Sequence, residues 1–83
     1  SAEITVDLKD GFTGRLYIDG VVVPEDQLET VAALGQLSFY PGPGKIIEAF
    51  ETGTHSARVT FWPADEKEPA SPEEFSWDFR VTS

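Results

Sequence analysis

Hydrophobic and polar residues alternate along most of this chain. In the stretch Glu3 to Leu8, Ile4, Val6 and Leu8 share one parity and the polar residues the other. The pattern repeats with Leu16 and Ile18 in Arg15–Asp19, and with Leu37 and Phe39 in Gln36–Tyr40. It recurs with Ala57, Val59 and Phe61 in Ser56–Trp62, and with Phe75, Trp77, Phe79 and Val81 in Phe75–Thr82. A period of two is the mark of strands with one buried and one wet face. Strands of a parallel sheet, covered on both faces, would read as unbroken apolar runs, so the pattern predicts antiparallel pairing.

Turn signals separate these runs. Asp10-Gly11 and Gly14 divide the first from the second. Asp19-Gly20, set between Leu16-Tyr17-Ile18 and Val21-Val22-Val23, predicts a tight type I′ hairpin. Pro41 to Gly44, Thr52-Gly53 and the stretch from Pro63 to Pro72 supply the other breaks. Ile46 to Phe50 reads either as a further short strand or as an apolar tuck under a loop. Short strands at this spacing predict an all-β, antiparallel sandwich of about seven strands.

One segment departs from the alternation. From Pro24 to Gly35, apolar residues fall at Leu28, Val31 and Leu34, with Pro and acids at the start and Gly at the end. This predicts a short helical turn near residues 25–34, with an irregular crossover between sheets as the other reading. By strand parity Phe39, Phe61, Phe75, Trp77 and Phe79 face the core, and Trp77 is expected to be buried. Tyr17, Tyr40 and Trp62 take the opposite parity and are the candidate binding residues, a platform for a sugar ring or a protein partner. The first strand is expected at a sheet edge beside the last.

Composition narrows the function classes. The chain has 83 residues, room for one core. It has no cysteine, which excludes disulfides and thiolate metal sites. Fifteen acids against six bases give a formal net charge of −9, a surface that repels nucleic acid and anionic lipid, favours solubility and suits cations or basic partners; the chain is expected to be a monomer. No apolar run reaches the roughly 20 residues of a membrane span. The chain starts Ser1-Ala2 and has no methionine, which predicts a piece of a longer protein.

No catalytic constellation emerges, and no cofactor is predicted. The run Pro41-Gly-Pro-Gly-Lys45 resembles a phosphate loop only in outline. Ile46 stands where the magnesium-binding hydroxyl would be, and the two prolines remove N–H donors. It is expected to turn a corner, with Lys45 beside an acid. Asp7, Asp10 and Asp19, like Asp65, Glu66 and Glu68, lie near turns, and Lys9 interrupts the spacing of a calcium loop. His55 is the only histidine and is expected to make a local hydrogen bond at a strand start. Glu73 and Glu74, adjacent on a strand, are expected to face opposite ways and make a poor acid/base pair. The loop from Pro63 to Pro72 is acidic and proline-rich and is expected to be mobile.

The order of motifs resembles the bacterial immunoglobulin-like domains. It runs through Leu16-Tyr17-Ile18-Asp19-Gly20-Val21-Val22, Leu37-Ser38-Phe39-Tyr40-Pro41-Gly42, Gly53-Thr54-His55-Ser56-Ala57-Arg58-Val59, and Phe75-Ser76-Trp77-Asp78-Phe79-Arg80-Val81. The resemblance covers about residues 15 to 82. It implies that Gly53 and His55 start the sixth strand, and that Trp77 and Phe79 lie on the last. It also implies a non-enzymatic, extracytoplasmic module, structural or protein-binding, within a bacterial surface or membrane-anchored protein. A carbohydrate-binding module and a calcium-stabilised adhesion module are the alternatives. Two features differ from the family pattern: the long acidic loop after Pro63 and the Pro24–Gly35 segment.

Overall fold

The computed structural model describes residues 3–82. Alternation becomes two antiparallel sheets of seven strands in total. The smaller sheet holds β1 (Ile4–Asp7), β5 (Gln36–Phe39) and β4 (Leu28–Val31), in the order β1-β5-β4. The larger holds β3 (Val21–Val22), β2 (Phe12–Ile18), β6 (Gly53–Pro63) and β7 (Glu73–Val81), in the order β3-β2-β6-β7. The predicted parities meet between the sheets. Leu16, Leu37, Phe39 and Val59 have no exposed surface, and Ile4, Val6, Ile18 and Val23 are also buried. Phe39 lies opposite both Ile4 and Leu28, so β5 ties the two edges of its sheet to one core position.

Asp19 (φ 50°) and Gly20 (φ 83°) form the two-residue turn between β2 and β3, with Ile18 paired to Val21. Two positive φ values in succession are the type I′ geometry, whose twist matches that of the flanking strands. β6 begins at Gly53, and Trp77 and Phe79 lie on β7, as the resemblance implies.

The structure corrects the sequence reading in several places. Gly14 lies inside β2 and does not break it. A Cβ there would stand 2.3 Å from the Thr60 carbonyl oxygen, so close strand packing, not a turn, accounts for the glycine. The segment 25–34 holds two single 3₁₀ turns, Glu25–Gln27 and Ala32–Leu34, with β4 between them. Val31 and Leu34 are exposed, so the apolar spacing marks no buried helix face. Residues 46–50 form no strand. Ile47 and Phe50 pack against the core, which is the tuck. β1 lies at a sheet edge but pairs with β5, not with β7. Among the described residues Lys45 meets no acid; its Nζ donates to the Tyr40 carbonyl at 2.6 Å and lies 5.7 Å from the Phe39 ring centre.

The two sheets differ in width, and this sets the character of one side. Three strands cannot cover four, and β7 overhangs. Phe75 is 61% exposed although its parity points inward, and Trp77 is only partly buried. The penalty for Trp77→Ala therefore falls below the roughly 3–5 kcal/mol of a full core deletion.

Candidate functional site

The outer face of the larger sheet carries Thr13, Arg15 and Tyr17 on β2, Arg58, Thr60 and Trp62 on β6, and Glu74, Ser76 and Asp78 on β7. Tyr17 pairs across the strands with Arg58, whose guanidinium sits 4.0 Å from the Tyr17 ring centre. A cation over a ring face is attracted by the ring quadrupole. The acidic loop after β6 is folded back against this face. Glu68 reaches Arg15 at 2.9 Å, and Arg58 has a looser partner in Glu74 at 3.7 Å. Residues 68–72 thereby roof a cleft of about 400 Å³ above Tyr17, Arg58 and Thr60. The Thr60 hydroxyl is buried there without a hydrogen-bond partner.

The three candidate aromatics do not form one platform. Tyr17 and Trp62 share the outer face. Trp62 pairs with Thr13, four residues along β2 from Tyr17, which separates the two by roughly 13 Å. Tyr40 follows β5 in the other sheet and is exposed. A sugar ring stacked on Tyr17 in the roofed cleft would meet Arg58 and residues 68–72.

The second apolar surface comes from residues assigned by parity to the core. Between the free edges of β1 and β7 runs a groove of about 620 Å³, lined by Thr5 to Lys9 on one side and by Val59, Phe61, Phe75 and Trp77 on the other. It continues toward Glu3, Ile4 and Phe79. Phe75 and Trp77 stack with ring centres 5.7 Å apart. Alternation could not reveal this surface, because parity assigns a side chain to a face without saying whether a facing strand covers it. The available signal was the count of strands: a chain with an odd number divides into sheets of unequal width.

Polar chemistry concentrates at His55. Its Nδ1 lies 2.7 Å from Asp19 Oδ2, and its Nε2 lies 2.7 Å from the Glu51 carbonyl oxygen. The other Asp19 oxygen accepts from the Ser56 amide at 2.9 Å. The ring stacks on Phe79 and meets Phe50 edge-on. Both ring nitrogens face acceptors, an arrangement that only the imidazolium satisfies in full. The hydrogen bond that His55 donates to Asp19 raises the His55 pKa and holds the Asp19 carboxyl below its ordinary range. Asp19 thus pins its own turn to the start of β6. Asp19 and Glu68 are engaged by His55 and Arg15, and among the described residues no group of three His, Asp or Glu side chains is placed to hold a metal ion.

Stability should respond to pH through this pair. A raised His55 pKa gives a contribution that is complete below about pH 6.5 and fades as pH rises through the folded-state value. A lowered Asp19 pKa gives one that is complete above about pH 4 and fades as pH falls through its folded-state value. Thermal unfolding followed against pH should show a maximum between these limits, with an alkaline decline that His55→Gln flattens. An unfolding temperature constant from pH 6 to 8 in the parent protein would refute the assignment.

No helix among the described residues is long and apolar enough to cross a membrane. Comparison of the chain with protein-family models, curated proteins and solved structures finds no match.

Proposed function

We propose that this domain is a non-catalytic, immunoglobulin-like interaction module of a longer, exported bacterial protein, and that its contact face is the uncovered side between β1 and β7. The observation that carries the reading is the stacked Phe75–Trp77 pair, left open by the narrower sheet. Exposed aromatics beside apolar groove walls are costly to leave in water and typical of contact surfaces. The strand order supports the immunoglobulin-like part. With β1 to β7 taken as B, C, C′, D, E, F and G, the sheets become B-E-D and C′-C-F-G. The bacterial and extracytoplasmic setting rests on the motif order from Leu16 to Val81. The net charge of −9 favours a monomer, since two copies repel each other.

A photo-crosslinking residue at position 75, expressed in the parent protein, tests the proposal. It should capture one macromolecular partner outside the cytoplasm, and the same group at position 22, on the opposite sheet edge, should not. Equal capture from both positions, or capture only in the cytoplasm, would defeat the reading.

A further inference from the structure

The open side has backbone as well as apolar character. Leu8 N–H donates to the Gly35 carbonyl at 2.6 Å, continuing the β1–β5 register in which Val6 faces Leu37 and Ile4 faces Phe39. Hydrogen-bonded pairs alternate along an antiparallel ladder. Ile4, Val6 and Leu8 therefore bond inward to the β5 side, and the N–H and C=O groups of Thr5 and Asp7 point to the free edge. That edge runs along the groove whose far wall is Phe75 and Trp77. One more strand beside β1 would bring the smaller sheet to the width of the larger. Its inward side chains would cover the overhanging aromatics of β7.

The rim selects the occupant. Glu3 and Asp7, which alternate with the inward Ile4 and Val6, border the groove on the β1 side; Lys9 is the one base among the residues lining the groove. A second copy of the chain would bring its own charge of −9 to this rim. We infer that β1 accepts an extended, basic partner peptide by strand addition, with apolar residues at alternate positions packing on Phe75 and Trp77 and lysine or arginine between them facing the acids. Main-chain bonds to Thr5 and Asp7 would supply the common affinity, and the aromatic wall and acidic rim the selectivity. This rests on the proposed interaction role and specifies its mode.

A short synthetic peptide alternating lysine and valine tests it against the 83-residue chain. Two control peptides carry glutamate for lysine, or N-methyl groups on alternate backbone nitrogens. Amide exchange at Thr5 and Asp7 should slow at least about tenfold with the lysine peptide, with a shift of the Trp77 indole resonance, and neither control should act. Asp7→Pro removes an outward N–H and leaves the backbone bonds to β5, but also removes a rim charge and the bond from Gln36, so it is compared with Asp7→Asn: unfolding should stay cooperative in both, while peptide affinity falls at least about tenfold further in the proline variant. Phe75→Ser should weaken binding in the same way. Binding that survives N-methylation or Asp7→Pro would be charge attraction alone and would overturn strand addition, as would no binding. The inference also fails if the free chain dimerises with these two amides protected, or if a longer form of the protein already protects them without peptide. Crosslinking from position 75 with unprotected edge amides would keep the interaction role and remove this mode of binding.

Discussion

Replacing Gly35 with alanine should destabilise the domain by about 2–5 kcal/mol, summing the usual costs of a left-handed alanine and of overpacking. Gly35 is buried and follows the turn Ala32–Leu34 with φ 64° and ψ 32°. Its N–H closes that turn on the Ala32 carbonyl, and its own carbonyl receives the Leu8 amide. A Cβ at this position would lie 2.0 Å from the Lys9 carbonyl oxygen and 2.7 Å from the Lys9 carbonyl carbon. Backbone cannot rotate out of the way as a side-chain tip can, so the chain leaving β1 must move. Moving it disturbs the point where β1 joins β5 and the walls of the groove together. Chemical unfolding of Gly35→Ala should show the loss, and Gly11→Ala serves as the comparison. Gly11 has φ 84° with open space around it, so only the conformational cost applies there. Equal losses for the two variants would mean that the close approach at Gly35 contributes nothing.

The architecture was largely legible because the alternation in β1, β2, β5, β6 and β7 is strict and one face of each strand is buried. The Asp19-Gly20 turn was legible for a local reason: few residue pairs adopt two positive φ values cheaply. The remainder depends on partners distant in sequence. β4 was missed because Leu28-Glu-Thr-Val31 carries little apolar signal, and its pairing with β5 holds it. The strand character of Gly14 depends on the Thr60 carbonyl across β6. The pairing of His55 with Asp19 joins residues from two turns that only the β2–β6 register brings together.

The candidate site was less legible than the fold. Tyr17 and Trp62 lie on the outer face of the larger sheet, but sharing a parity does not bring residues together, and Tyr40 follows β5 beyond the end of the smaller sheet. Phe75 and Trp77 were placed inward, which is where they point. Their exposure follows from the unequal widths of the sheets, a property of topology that no single strand encodes. The groove is therefore what a sandwich of three strands on four leaves open, and the aromatic residues on β7 make that gap apolar.

Truncation of Phe39 to alanine should cost about 3–5 kcal/mol, the range for large aromatic deletions in cores. Phe39 has no exposed surface and is among the largest fully buried side chains. It faces Ile4 on β1 and Leu28 on β4, and its ring meets Phe50 edge-on at 6.4 Å. Phe50 in turn contacts Phe79 and His55, so the cavity would open under the end of the sandwich where Asp19 is pinned. A domain of this size commands roughly 4–12 kcal/mol in all, so the variant should lose at least a quarter of its stability. At about 4–8 °C per kcal/mol, the unfolding temperature should drop by more than about 10 °C. Phe39→Leu keeps most of the volume and should recover more than half of the loss, as volume-conserving replacements usually do. The same measurement on Phe75→Ala gives the contrast. Phe75 is already open to solvent, and its removal should change stability by less than about 1 kcal/mol, because little apolar surface returns to water. A Phe75→Ala loss as large as that of Phe39→Ala would mean that the β7 overhang is covered within this chain, and the open side would then offer no place for a partner strand.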